Sequence, residues 1–158
     1  MPSTKPRAAD PENQPGYYIR RLQQIAVAIF MEETQAQAIT PVQYAALYAA
    51  ERQPGMDQRS LAATIGFDTS TIGGVVDRLE ARGWLERRMS PEDRRARQLF
   101  LTPEGAQGLA GMIGPMLRAQ EQILAPLSTR QRADFMRLLQ VLVTQNNALS
   151  RAPGEAAR

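Results

Sequence analysis

Residues 68–102, DTSTIGGVVDRLEARGWLERRMSPEDRRARQLFLT, decide the fold of this chain. The first half has a helical period in four apolar residues, which are Ile72, Val75, Val76 and Leu79. Asp68 suits the N-terminal cap of that helix, and Gly83 suits its end. The period then becomes strand-like over residues 84–88 and 97–101, with a turn between them. The segment therefore predicts a helix followed directly by a β-hairpin.

The hairpin concentrates positive charge. Residues 82–97 contain six arginines, which are Arg82, Arg87, Arg88, Arg94, Arg95 and Arg97. With three acidic residues in the same segment, its net charge is +3, which equals the net charge of the whole chain. The tip is predicted as a turn over residues 90–93, in which Pro91 suits the second position. A basic loop beside a helix is the electrostatic pattern of a phosphate-binding protein, and a solvated hairpin is the alternative.

A second helix precedes this segment and completes a helix-turn-helix pattern. Asp57 begins it and Gly66 ends it in the turn between the two helices. Ala62 is small enough for the two helices to cross closely, and Ile72 packs the second helix onto the first. An ordinary helical hairpin has the same pattern. The basic hairpin directly after the second helix favours a winged helix.

In a winged helix the second helix of the motif enters the major groove with its N-terminal residues in front. The residues in that position here carry hydroxyl groups that suit phosphates or base edges, and they are Thr69, Ser70 and Thr71. Gly73 and Gly74 cost the helix roughly 1 kcal/mol each relative to Ala. They either let the helix backbone approach DNA or serve helix packing. Arg78 either reaches a phosphate or faces solvent.

The tip of the hairpin carries the second set of predicted DNA contacts. Arg94 and Arg95 lie there, and arginines at such a tip can enter the minor groove, where narrow A·T tracts concentrate negative potential. Asp93 is a poor neighbour for phosphate. We expect Asp93 to orient a wing arginine through a salt bridge or to close the turn.

Helices are predicted on both sides of this motif. One covers about 17–36, and the next is opened by a capping box, Thr40 with Gln43, and ends near Arg52. A fifth starts at residues 102–103, and Pro115 should kink it or break its hydrogen bonding. A second capping box over residues 128–131 opens the sixth, whose inward residues are Phe135, Leu138, Leu139, Leu142 and Val143.

Composition excludes several classes of function. The chain has no Cys and no His, so disulfides, thiolate or His-ligated metal sites and a Ser-His-Asp triad are excluded. Acidic residues are scattered, and we predict no catalytic set, no metal and no cofactor. The longest apolar run, 25–31, has seven residues, whereas a membrane span needs about 20. The N-terminus lacks the apolar core of a signal peptide, so we expect a cytoplasmic protein without a membrane partner.

Several segments resemble the MarR family of bacterial transcriptional regulators. They are TPVQYAAL at 40–47, DTSTI at 68–72, VDRLE at 76–80, GWLER at 83–87, and PEDRRA at 91–96 continuing to Leu101-Thr102. The resemblance covers roughly residues 17–148. It implies a homodimer joined by N- and C-terminal helices, binding to palindromic operators in double-stranded DNA, and most often repression. It also implies release by a small phenolic or aromatic carboxylate, and the sequence is similar to regulators of aromatic-acid catabolism, including nicotinate degradation.

The expected fold class is mainly α with a small β-hairpin, a winged helix-turn-helix with N- and C-terminal dimerisation helices. The expected organisation is a disordered arm over 1–15, a single domain over 16–149 and a flexible tail over 150–158. Within the domain, the winged helix covers about 40–102 and the dimerisation helices about 17–36 and 103–149.

The helices outside the winged helix have more apolar surface than one such module could cover. Their expected dimer-interface residues are Ile19, Leu22, Ile123, Leu127, Phe135, Leu138 and Leu142. A three-helix core within one chain is the alternative. A dimer would present two recognition helices one helical turn of DNA apart, which suits a palindrome.

Aromatic and basic residues suggest an effector site. Tyr17, Tyr18 and Arg20 lie at the start of the first helix, and Tyr44 lies on the second, the wall of the pocket that the resemblance implies. Tyrosine rings with a guanidinium suit an aromatic carboxylate, and exposed arginines beside packed tyrosines are the alternative. The alternative function is a winged-helix module that binds an acidic partner protein.

Overall fold

The computed structural model describes residues 10–150. Six α-helices and one hairpin form the body of the molecule, which confirms the predicted fold class. The elements are α1 (Pro15–Glu33), α2 (Pro41–Arg52), α3 (Gln58–Ile65), α4 (Ile72–Ala81), β1 (Leu85–Met89), β2 (Arg97–Leu101), α5 (Pro103–Leu124) and α6 (Thr129–Asn146). Short 3-10 helices lie at Pro11–Asn13 and Asn147–Leu149.

The core lies between the helix-turn-helix and the hairpin. Its fully buried side chains come from several elements and include Leu47, Leu61, Val76, Leu79, Leu85, Leu99 and Leu109. Met56, just before α3, forms a bridge to Leu99 on β2, so the segment before the helix-turn-helix is hydrogen-bonded to the hairpin. The recognition helix and the wing therefore share one apolar core.

The predicted caps of α2, α3 and α6 are present. In α2, the N–H of Gln43 donates to Thr40 Oγ1 (3.2 Å), and the N–H of Thr40 donates to Gln43 Oε1 (3.0 Å). Ser128 and Gln131 form the same box in α6, and Asp57 caps α3. These groups satisfy amides that a helix start leaves unpaired.

The start of α4 differs from the prediction. The helix begins at Ile72 and has no side-chain cap, so Asp68 does not cap it. Instead, Asp68 Oδ1 accepts from the N–H of Ser70 (2.9 Å), which closes a turn two residues ahead. The reason is local: an Asp side chain can bond to the backbone two residues on as readily as to a helix start. Residues 69–71 consequently lie in a turn before the helix.

The hairpin has the predicted strands but a different turn. Leu85 lies opposite Leu101 and Met89 opposite Arg97 in an antiparallel pair. The turn closed by a backbone bond is 93–96, in which the N–H of Ala96 donates to the carbonyl of Asp93 (3.0 Å). The predicted 90–93 segment forms a bend before that turn, in which Ser90 Oγ accepts from the amides of residues 92 and 93.

Two glycines of α5, Gly105 and Gly108, have a packing role. An added Cβ on Gly105 would lie 2.1 Å from the carbonyl oxygen of Trp84, and one on Gly108 would lie 2.4 Å from its ring. Trp84 thus lies against bare helix backbone. The helix is continuous from Pro103 to Leu124, so Pro115 does not end it.

The sixth helix packs poorly within one chain. In the described part of the chain, α6 contains no buried residue. Leu138, Leu142 and Val143 are 50%, 54% and 66% exposed, so one chain does not bury the face that was predicted to point inward. A three-helix core of α1, α5 and α6 is therefore absent from residues 10–150, although α1 and α5 pack together.

Parts of the expected termini lie outside the described residues, namely 1–9 of the arm and 151–158 of the tail. Residues 11–13 are in a 3-10 helix and α1 begins at Pro15, so the end of the expected arm is helical. Across residues 10–150, every helix is too short or too polar to span a bilayer.

Candidate nucleic-acid interface

The turn before α4 exposes three hydroxyl groups. Thr69, Ser70 and Thr71 are all exposed, and Thr71 Oγ1 donates only a long bond to the carbonyl of Asp68 (3.3 Å). The positive end of the helix dipole lies next to them, because no side chain caps α4. These groups form a polar, anion-accepting edge at the start of the recognition helix.

The first turn of α4 contains two glycines and therefore has little side-chain cover. Gly74 and Arg78 are exposed, and Gly73 is half-buried. A Cβ on Gly73 would meet Gln58 Nε2 at 3.6 Å, and one on Gly74 would meet Arg78 Nη1 at 4.0 Å, which are ordinary contacts. Packing within the chain therefore requires neither glycine. These distances weaken the helix-packing interpretation and favour close approach of a partner.

Two of the six clustered arginines are held against the protein. The guanidinium of Arg82 stacks on the Trp84 ring, 4.1 Å from its centroid. Arg87, on β1, pairs with Asp77 and Glu80 of α4 and donates to Gln58 of α3. Partial burial lowers the pKa of Arg87, but its hydrogen bonds to Asp77 and Glu80 outweigh that effect and raise the pKa.

Two more arginines are engaged within the hairpin. Arg88 pairs with Glu86, and its guanidinium lies 4.4 Å from the centroid of the Phe100 ring. Arg97 Nη1 donates to the carbonyl of Arg94 (2.9 Å) and so supports the tip. Both side chains remain exposed, but each already has a partner.

The remaining pair, Arg94 and Arg95, occupies the two central positions of the tip turn. Both side chains are exposed and make no ion pair or hydrogen bond within residues 10–150. Asp93 Oδ1 accepts from the backbone N–H of Arg95 (2.9 Å), so of the two expected roles Asp93 closes the turn. Two unpaired guanidinium groups therefore project from a turn that its own aspartate stabilises.

One basic residue of the same region was not predicted from the sequence. Arg59, in the first turn of α3, is exposed and has no ion pair in the described part of the chain. In helix-turn-helix proteins the first helix crosses the DNA backbone, so a cation there suits a phosphate. Its position two residues after the Asp57 cap is the signal that could have identified it.

Of the expected effector residues at the start of α1, Tyr18 lines the α1–α6 groove, whereas Tyr17 and Arg20 are not among its lining residues. Arg21 Nη1 donates to the hydroxyl of Tyr17 (2.9 Å), and the Arg20 guanidinium lies 5.8 Å from the centre of the same ring. The bond to Tyr17 raises the pKa of Arg21. Tyr18 lines a cavity of about 640 Å³ between α1 and α6.

Tyr44 lies in a different cavity, so one chain does not bring the four expected effector residues together. Its ring stacks on Tyr48 at 6.3 Å, and the two rings line a groove of about 440 Å³ with Arg52. Burial is the main reason that the pKa of Tyr44 is raised, with smaller contributions from Tyr48 and Glu51. Tyr48 and Arg52 were not predicted as effector residues, although positions 44, 48 and 52 share one helix face.

A helix-turn-helix with an open recognition helix and a hairpin tip of unpaired arginines defines a winged-helix DNA-binding protein. Residues 39–96 match the model of the MarR family. The chain is 35% identical over 133 residues to a protein of Thauera aromatica described as a putative transcriptional regulatory protein for the hcr operon, covering 84% of this chain and 80% of that protein. The chain belongs to the MarR family of DNA-binding transcriptional regulators.

A second relative is the HTH-type transcriptional repressor NicR of Pseudomonas putida, 29% identical over 147 residues, which cover 89% of this chain and 93% of NicR.

Among solved structures, PcaV of Streptomyces coelicolor in complex with its natural ligand is 33% identical, with a TM-score of 0.77 over 88% of this chain and 98% of PcaV. The repressor CouR bound to a 23-mer DNA duplex is 26% identical, with a TM-score of 0.78 over 89% of this chain and 99% of CouR. BpsR of Bordetella bronchiseptica, whose DNA binding is regulated by 6-hydroxynicotinic acid, matches at 26% identity and a TM-score of 0.78 over 89% of this chain and 97% of BpsR.

Proposed function

We propose that the protein is a homodimeric repressor that binds a palindromic operator and leaves it when a small aromatic acid binds. The observation that carries the proposal is the exposed apolar face of α6. Side chains of this size stay in water only at a cost, and a contiguous apolar patch on a protein surface is typical of an interaction site. A second copy of the chain would cover that face.

The expected interface residues support this arrangement. Ile19 of α1 is 60% exposed, and with Leu22, Phe135, Leu138 and Leu142 it lines the groove of about 640 Å³ between α1 and α6. A two-fold symmetric pairing of such grooves uses the same patch on both subunits. It would place two copies of α4 on one side of the dimer, as a palindromic operator requires.

The proposed DNA contacts divide between the two grooves. The turn of Thr69, Ser70 and Thr71, together with Gly73 and Arg78 of α4, serves the major groove and its phosphates. Arg94 and Arg95 serve the minor groove beside it. The structure of CouR on a DNA duplex supports this docking, because its fold matches that of this chain.

The proposed effector is an aromatic carboxylate of the size of hydroxynicotinate. The 6-hydroxynicotinic acid that regulates BpsR and the ligand complex of PcaV support this chemistry by relationship. In this chain, the groove with Tyr44, Tyr48 and Arg52 offers aromatic walls and a guanidinium that has no ion pair within residues 10–150. A ligand there would release DNA only if it binds the DNA-incompetent arrangement more tightly.

The DNA-binding part is tested by Arg94→Ala. We expect weaker operator binding and a salt dependence whose log–log slope falls by about one, because one phosphate-neutralising cation is lost. Arg88→Ala is the matched control, since it removes the same charge from the same hairpin but from a side chain already paired with Glu86. Fluorescence anisotropy over a salt series measures both. Unchanged affinity and slope in Arg94→Ala would show that the wing assignment is wrong.

The effector part is tested by thermal shift and gel shift with benzoate and 6-hydroxynicotinate. We expect a compound that stabilises the protein also to release DNA, and the response to be lost in Arg52→Ala or in Arg20→Ala, according to which arginine holds the carboxylate. If neither variant alters a response of the wild type, neither arginine anchors the ligand. If no DNA is retarded at low salt while an acidic protein is bound, the interaction-module alternative is the correct one.

A further inference from the structure

Arg87 connects three elements of the DNA-binding unit. Its Nη2 lies 2.6 Å from Asp77 Oδ1, and its Nη1 pairs with Glu80 on the same face of α4. Its Nε and Nη2 donate to Gln58 Oε1 of α3 at 3.0 Å and 2.8 Å. The guanidinium therefore uses its fork to bind two carboxylates and an amide oxygen at once, a geometry that lysine does not reproduce. We call these four residues the Arg87 clasp.

Two residues of the clasp are acidic and lie on the recognition helix, which faces DNA in the proposed function. A carboxylate near DNA phosphates is repelled, so Asp77 and Glu80 are unfavourable for binding by charge alone. Their side chains are 67% and 40% exposed, whereas that of Arg87 is only 21% exposed. The arginine is thus turned toward the helix and away from a surface where DNA would lie.

We propose that Arg87 is a positioning residue for DNA binding, which holds the wing at a set angle to the recognition helix through Asp77, Glu80 and Gln58. The inference rests on the DNA-binding function. α4 serves the major groove and the tip of the hairpin the minor groove, so both engage one duplex only if their relative orientation is maintained. The shared apolar core already joins the hairpin to α4, and the clasp adds a polar link between β1, α4 and α3 that orients them.

The clasp and simple electrostatics predict opposite effects of Asp77→Asn on DNA affinity. Asp77→Asn removes a negative charge from the DNA-facing helix, so electrostatics alone predicts tighter binding. The clasp predicts weaker binding, because Arg87 loses a charged partner. Arg87→Gln also separates two roles. Loss of a phosphate contact weakens binding to any duplex, whereas loss of positioning weakens binding to the selected duplex and spares non-specific binding.

The experiment compares Arg87→Gln, Asp77→Asn, their double variant and the control Arg94→Gln on a duplex that the wild-type protein selects from random-sequence DNA. Anisotropy titrations over a salt series give affinity and slope, and a scrambled duplex at low salt gives non-specific binding. We expect both single variants to bind the selected duplex about tenfold more weakly. Their effects should not add in the double variant, because they break one interaction. Non-specific binding should be nearly unchanged.

Tighter or unchanged binding by Asp77→Asn would overturn the proposal, and so would a loss of non-specific binding by Arg87→Gln that matches that of Arg94→Gln. Asp77 is exposed enough for its variant to fold, so the test stands even if a thermal melt shows that Arg87→Gln does not. Failure of the wild type to select any duplex would instead contradict DNA binding itself, which distinguishes the two failures.

Discussion

Arg94 and Arg95 differ from the other clustered arginines in their neighbours and not in their chemistry. Arg82 has an aromatic face, Arg88 a carboxylate and an aromatic face, and Arg87 two carboxylates and an amide. A guanidinium that is already paired must give up that partner to bind phosphate, whereas an unpaired one gives up only water. The net charge of the segment therefore overstates the number of DNA contacts.

The recognition helix offers a prediction at the residue scale, in which stability and binding change in opposite directions. Gly74→Ala should raise the melting temperature by about 2–4 °C, because Ala is the better helix former and the structure has room for its methyl group. If the helix backbone approaches DNA there, the same methyl group should weaken operator binding. Differential scanning fluorimetry and anisotropy measure the two effects. Ala63→Gly, the reverse substitution on α3, is the control and should lower stability without an opposite change in operator binding.

Two other outcomes would be informative about Gly74. Binding that is unchanged in a stabilised Gly74→Ala variant would mean that the helix does not lie close to DNA at this position. A lower melting temperature would contradict the open space that the structure gives to a Cβ here.

At the scale of the elements, capping motifs predicted helix starts well in all but one case. The boxes of Thr40 and Ser128 act over three residues, so the sequence contains the complete interaction. Asp68 could bond to the helix or to the turn, and both lie within reach. The sequence could not decide between them, because the same carboxylate can accept from either group. The same holds for the tip turn, where Ser90 Oγ competes with a backbone carbonyl.

The glycines of α5 give the prediction for this scale. Gly108→Ala should destabilise the fold by about 1–3 kcal/mol, because its Cβ would lie 2.4 Å from the Trp84 ring and force a shift. Gly114→Ala is the matched control in the same helix, since its Cβ would meet only the end of Arg118 at 3.5 Å. Urea unfolding measures the two free energies. Equal or increased stability in Gly108→Ala would refute the close packing of Trp84 on this helix.

At the scale of the whole molecule, α6 is the element whose apolar face one chain leaves uncovered. Its sequence has a regular apolar face, yet Leu138 and Leu142 remain about half exposed. Periodicity predicts which face of a helix is apolar, but it does not say whether the covering surface comes from the same chain or from another. One chain therefore leaves the predicted apolar face uncovered, and its residues remain candidates for a dimer interface.

The prediction for the assembly is that Leu138→Glu weakens dimerisation at least tenfold without unfolding the subunit, because a charge would be placed in the apolar face. Analytical ultracentrifugation measures the association, and circular dichroism measures the helix content. Gln140→Glu, on the polar side of α6, is the control and should dimerise as the wild type does. Operator affinity should fall with Leu138→Glu, since one subunit holds only half of the DNA-binding surface. A variant that stays dimeric would place the interface elsewhere.

Local sequence patterns predicted the order of the elements, most of their ends and the basic tip, because caps, glycine stops and apolar periods act within a few residues. Which arginines are engaged depends on long-range packing. Arg87 meets Gln58 across 29 positions of the chain, and no local pattern encodes that contact. Long-range packing also separates the grooves of Tyr44 and Tyr18, and it leaves α6 without a buried residue in the described part of the chain. Such contacts depend on how elements that are distant in sequence pack, and that packing is a property of the whole molecule.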